Sequence, residues 1–179
     1  MKWVTRDHVH MDRVATPWLI RRFVDRDASF VFVPSAEIDR LPADAIPFGI
    51  PGVELSAHDA EGSTFRKVLR KYKIEDPALE RVARIIEAGI AHYYAKRAID
   101  PLHEGTLSAP EGIGLEAISQ GMLYLASGDH DNIERSAPLY DALYAFCRAG
   151  MIEAKAPELA KLPPAQRNAA VRARLRDVP

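Results

Sequence analysis

The chain has a single cysteine, Cys147, among 179 residues. That excludes an intrachain disulfide and any zinc site built from several thiolates. Cys147 sits in the run Tyr-Ala-Phe-Cys-Arg and reads as a small core residue rather than a reactive thiol. Long apolar runs are also missing. Nothing approaches the ~18 consecutive apolar residues that span a bilayer, and the first residues lack the apolar stretch of a signal peptide. Charge of one sign is lacking too: the formal net charge is −1, so no global basic field argues for nucleic acid. There is no glycine-rich phosphate loop, no serine nucleophile elbow and no His-Glu-x-x-His helix. No repeat or coiled-coil heptad stands out. What remains is the expectation of a soluble, cytoplasmic protein without membrane contact, whose 47% hydrophobic residues suffice for a core.

The most informative stretch is residues 11–25. Thr16-Pro17 is a helix-start signal, because Thr accepts a bond from the first turn and Pro at the first helical position loses none. A helix is therefore predicted from Pro17, with Trp18, Leu19, Ile20 and Phe23 as its buried bulk. Arg21 and Arg22 read either as solvated charge or, with Arg13, as donors facing a cleft that binds an anion. Arginine suits that role because its planar fork matches carboxylates and tetrahedral oxyanions.

Around it, residues 2–5, 29–33, 46–49 and 53–58 read as strands; the run 29–33 is the clearest, being β-branched and aromatic and closed by Pro34. From Ser63 onward the pattern turns helical. Ser63 caps a helix near 64–72, Asp76-Pro77 opens one reaching about Arg97, and Gly89 weakens it midway. A long irregular connection at 99–111 reads as a lid or binding loop. Helices follow over 112–126 and from Asp129 or Asp131 to about Arg148, the latter kinked at Pro138. Arg167, Arg172, Arg174 and Arg176 decorate a last Ala-rich helix, read as a solvated appendage or a partner-docking element.

Clustered strands followed by clustered helices predict an α+β fold: a predominantly helical body with a small mixed β-sheet from the N-terminal third. Residues 1–150 are expected to form the domain and 151–179 a helical C-terminal appendage.

No compact catalytic motif appears, so chemistry must come from scattered polar residues. His8 and His10 alternate on an extended segment and read as an exposed pair or as metal ligands. His58 ends an alternating strand at a turn, where functional groups are frequent. His92 borders the buried stripe of its helix. Glu116 lies between apolar stripe residues, a costly place for a carboxylate unless it is paired, protonated or metal-bound. His130, Glu134 and Asp141 fall on one helical face at 3.6 residues per turn, as ligands or as a solvated row. His and carboxylates without thiolates suit Zn, Fe or Mn as a divalent metal.

The segment Asp12-Arg13-x-Ala-x-Pro17-Trp18-Leu-Ile-Arg21-Arg22-Phe closely resembles the signature of the chromate-resistance ChrB family, in its C-terminal domain. Further pieces follow in the family's order: Phe-Val-Phe-Val-Pro (30–34), Ile-Pro-Phe (46–48), Pro-Gly-Val-Glu-Leu (51–55), His58 before Ser-Thr-Phe (63–65), and Lys-Tyr (71–72). After them come Asp-Pro-Ala-Leu (76–79), Gly-Leu-Glu-Ala-Ile (114–118), Asp-His (129–130) and Leu-Tyr-Asp-Ala-Leu-Tyr-Ala (139–145). The resemblance covers roughly 2–148; residues 92–111 depart from the family pattern.

The resemblance implies a role in chromate sensing or detoxification. The family's longer members carry a separate N-terminal region that goes with transcriptional regulation. This chain begins almost at the signature, so direct DNA binding is not expected of it. His58 and Glu116 lie in matching pieces and carry over best. Three readings stand open. The first is an oxyanion-binding domain, for chromate in particular, using Arg13, Arg21 and Arg22. The second is a metal-dependent enzyme of unknown substrate, with a metal on His58, His92, Glu116 and His130 and with Asp12, Trp18, Glu134 and Asp141 in support. The third is a structural module that docks a protein partner or forms a homodimer.

Overall fold

The computed structural model describes residues 1–97 and 109–176. The connection read as a lid at 99–111 lies mostly outside the described residues.

A short sheet opens the fold. Strand β1 (Lys2–Arg6) is central, flanked by β2 (Ser29–Val33) and β3 (Ile46–Pro47) in the order β2-β1-β3. The α+β architecture is as expected, but the sheet is wholly parallel rather than mixed. Lys2 aligns with Ser29 and Arg6 with Val33; Trp3 aligns with Ile46 on the other side. Helix α1 (Asp12–Phe23) carries the chain back to the start of β2, as a parallel pair requires.

Two strand predictions shrink. Beyond Pro47, which has no N–H to donate, Gly49 takes φ +62° and turns the chain aside. The run 53–58 forms only a bridge between Leu55 and Phe48, with Gly49 N donating to the Leu55 carbonyl at 2.7 Å. It has no second neighbour to pair with.

Helix α1 starts five residues earlier than Thr16-Pro17 predicts, and Pro17 lies inside it. The extra turn is anchored from outside. The Asp12 carboxylate accepts from Thr64 N at 2.8 Å and Phe65 N at 3.0 Å, satisfying the first N–H groups of α2 (Thr64–Lys71). Thr16, read as a cap, donates its hydroxyl to Asp12 instead. The local signal was overridden by this tertiary cap.

The predicted caps of the next two helices hold. Ser63 Oγ accepts from Arg66 N, and Asp76 Oδ1 accepts from Ala78 N at the start of α3 (Pro77–Arg97). Helix α4 (Glu111–Leu125) packs closely on α3. Gly89 and Gly112 permit this: a Cβ on Gly112 would come within 2.6 Å of Gly89 N. Gly89 thus serves the helix crossing. Helix α5 (Asp129–Lys155) runs through residue 150, past the predicted end near Arg148. Helix α6 (Pro164–Arg176) folds back on it, with Val171 buried and Arg167 3.6 Å from Glu153.

The core lies between the sheet, α1, α2 and α3. Trp3, Phe48, Phe65, Leu19, Leu79 and Ile86 are among its fully buried side chains, and Cys147 is fully buried as predicted. Burial pushes the Cys147 thiol up to about 11. No helix among the described residues is long and apolar enough to cross a membrane.

Candidate functional site

In open parallel sheets, ligands bind beyond the carboxyl ends of the strands, where the strand order reverses direction. Here the chain leaves β1 for β2 on one side and returns as β3 on the other, so the reversal falls between β1 and β3. A cavity of about 510 Å³ opens at that place. Arg6, at the end of β1, and Gly49, just after β3, both line it.

The β1–α1 loop forms its floor under evident strain. His8 has φ +54° and Met11 φ +43°, conformations that side-chain-bearing residues seldom adopt. Distant elements hold them there. Asp129 accepts from His8 N and Val9 N at 3.0 and 2.8 Å, and Ser119 Oγ accepts from Met11 N at 2.9 Å. Tyr140 donates its hydroxyl to the Met11 carbonyl, and Asn132 Nδ2 donates to the Val9 carbonyl. Sites that store strain tend to be functional.

Arg13, in the first turn of α1, ties the loop together through its guanidinium. Its Nη1 donates to the carbonyls of Arg6 and Asp7 at 2.7 and 3.0 Å, and its Nη2 to that of His8 at 3.0 Å. A guanidinium has five N–H donors, so with three used, two remain. Among the described residues no carboxylate lies within ion-pair distance of Arg13 or Arg6, and the buried Nε of Arg6 has no hydrogen-bond partner. Burial, then the neighbouring Arg6 charge, push the Arg13 guanidinium down to about 10. It remains cationic at neutral pH; the Asp129, Asp12 and Asp7 carboxylates offset part of the burial cost from beyond ion-pair distance. Gly49 makes room for its stem: a Cβ there would come within 2.8 Å of Arg13 Cγ.

His58 reaches the same cavity from a turn between Leu55 and α2. Lys67 fastens this turn. Its buried ammonium donates to Ser56 Oγ at 2.8 Å, the Ala57 carbonyl at 2.9 Å and Asp59 Oδ2 at 2.6 Å. The Lys67 bond, with Glu61 N and Ser56, holds the Asp59 carboxyl down to about 2. Asp12 is the cavity's acid. Burial raises its pKa against the lowering effect of the Phe65 and Thr64 N–H bonds.

The predicted residues thus divide. Asp12, Arg13 and His58 meet in the cavity, joined by His8 and His10. Trp18, Arg21, Arg22, Glu134 and Asp141 form a separate seam between α1 and α5. Arg21 Nη1 bonds Glu134 at 2.5 Å, Arg22 bonds Asp141 at 2.6 and 3.0 Å, and Trp18 Nε1 donates to Asp141 at 2.8 Å. The seam's arginines are neutralised where they stand. His130 packs edge-on against Phe32, with ring centroids 4.8 Å apart. His92 is buried on α3, its Nδ1 without a hydrogen-bond partner, and Glu116 is buried on α4. His58, His92, Glu116 and His130 are therefore not brought together. Among the described residues no three His, Cys, Asp or Glu side chains are placed to share a metal ion.

Sequence reasoning missed Arg6, Lys67, and Tyr93, Tyr94 and Tyr124 at the cavity wall. Arg6 was findable from the rule that loops after parallel strands carry ligands, had the sheet been known to be parallel.

A sequence profile of the ChrB C-terminal domain matches residues 3–147. Protein ChrB of Cupriavidus metallidurans is 28% identical over 144 residues, covering 80% of this chain and 40% of the relative. The chain thus spans well under half the length of that protein. No solved structure matches. With the family signature covering the sheet, the cavity loop and both helical walls, the chain belongs to the ChrB C-terminal domain family.

Proposed function

We propose that the domain binds a tetrahedral oxyanion of the chromate class in the cavity at the carboxyl ends of β1 and β3. Membership in the ChrB family links the chain to chromate resistance. The carrying observation is a pair of arginines, Arg6 and Arg13, whose charges meet no ion-pairing carboxylate among the described residues. Arg13 keeps two N–H donors uncommitted and lines the same cavity as Arg6, so two cationic side chains stand at one end of it. A bound dianion would relieve the desolvated guanidinium and accept charge-assisted bonds, each stabilising by roughly 1.5–3 kcal/mol. Thr64 and the three histidines at the cavity add polar reach. Arg21 and Arg22, grouped with Arg13 as anion donors from the sequence, have no place in this reading because Glu134 and Asp141 occupy them.

Calorimetric titration with chromate tests the proposal. Saturable binding at one site per chain is expected, weakened about tenfold by Arg6→Gln, the equivalent of ~1.4 kcal/mol. No saturable heat at millimolar chromate overturns it. Sulfate shares chromate's shape and charge and is expected to compete. Equal competition would point to a general oxyanion site rather than a dedicated chromate sensor.

A further inference from the structure

The cavity is larger than a tetrahedral oxyanion needs. A volume of about 510 Å³ falls in the range of roughly 300–1,000 Å³ that holds drug-sized organic ligands. Its lining is also two-ended. The β1–α1 loop and the His58 turn supply Arg6, Arg13 and the imidazoles. The late turns of α3 and α4 supply Ile90, Tyr93 and Tyr94 on one side and Leu123 and Tyr124 on the other. A row of rings joins the ends: His10 packs on Tyr93 at 5.2 Å between centroids, and Tyr93 meets Tyr94 edge-on at 5.6 Å. Tyr94 and Tyr124 stand 59% and 78% exposed. Large rings left in water beside a cavity are poised to gain from covering a flat or apolar body.

We infer that the cavity accepts an organic oxyanion, its tetrahedral head on the arginines and an aromatic body against Tyr94 and Tyr124, with a bare ion filling only the cationic end. This inference rests on the oxyanion reading and extends it to a ligand class, aryl phosphates and their relatives. Phosphate esters carry about −1.5 to −2 charge near neutral pH, so their heads suit the same donors.

The experiment compares phenyl phosphate with inorganic phosphate by calorimetry on the full chain and on Tyr124→Ala, Tyr94→Ala and Arg6→Gln. Both tyrosines are exposed, so their truncation leaves the core intact. Phenyl phosphate is expected to bind about tenfold tighter, the scale of a stacked aromatic contact. One or both tyrosine variants should remove most of that gain and leave inorganic phosphate unchanged, while Arg6→Gln weakens both ligands. Equal affinities for the two phosphates overturn the inference and leave the oxyanion reading standing. A phenyl preference that survives both tyrosine truncations overturns it too. If neither phosphate nor chromate binds, the oxyanion reading falls and takes the inference with it.

Discussion

Helix α1 carries arginines at both ends, and the two ends differ in what meets them. At its C-terminal end, Arg21 and Arg22 face Glu134 and Asp141 on α5, and Trp18 shares the Asp141 carboxylate. At its N-terminal end, Arg13 is held by three carbonyl oxygens beside Arg6, with no ion-pairing carboxylate among the described residues. The residue type is the same and the helix is the same. One set of charges is spent on joining two helices; the other is concentrated at a cavity. Arginine content alone therefore does not distinguish the two ends; what distinguishes them is whether an ion pair is formed.

That contrast can be broken at its frame. Asp12→Ala should have the largest effect on stability, because it strands two buried N–H groups at the start of α2. A loss of about 3 kcal/mol is expected in denaturant unfolding; a loss below ~0.5 kcal/mol would mean that the Asp12 cap does not anchor the loop. Gly49→Ala comes next. It adds a Cβ against the Arg13 stem at a φ of +62°, costing about 1–2 kcal/mol. It should also weaken chromate binding several-fold by displacing Arg13, and unchanged affinity would contradict the placement of Arg13 at the site.

The seam should be far more tolerant. Arg22→Ala breaks a pair whose two side chains are both about half exposed, so a change of at most ~1 kcal/mol is expected in the same unfolding assay. A larger loss would make the seam a stability element on a par with the cavity frame. The smallest effect concerns the turn that presents His58. Asp59 is held below its ordinary range by Lys67. The sign follows: its stabilising bond is complete above about pH 4, the unfolded range, and is lost as pH falls toward about 2. Amide exchange in residues 56–62 should therefore quicken over that window in the wild type and show no such step in Asp59→Asn.

Much of the frame was legible from local signals. Ser63 and Asp76 announced their helices because capping is settled within a few residues. The strand 29–33 was legible from its β-branched and aromatic content. The start of α1 was not, because its anchor, Asp12 on the N-terminus of α2, spans 52 residues of sequence. The division of the arginines was hidden for the same reason. Arg21 and Glu134 are 113 residues apart, and Trp18 and Asp141 are 123 apart. His58, Asp12 and Arg13, which the sequence assigns to different roles, line one cavity. Arg6 escaped because a strand-end charge looks solvated until the strand is known to lie between two parallel neighbours.

The most direct measurement is chromate calorimetry on three proteins side by side: wild type, Arg13→Gln and Arg22→Gln. The account predicts one saturable site in the wild type, a loss on the order of 100-fold in Arg13→Gln as charge-assisted bonds disappear, and wild-type affinity in Arg22→Gln. Equal losses in both variants, or none in either, would contradict the proposal that the cavity arginines, which form no ion pair among the described residues, are the ones that bind.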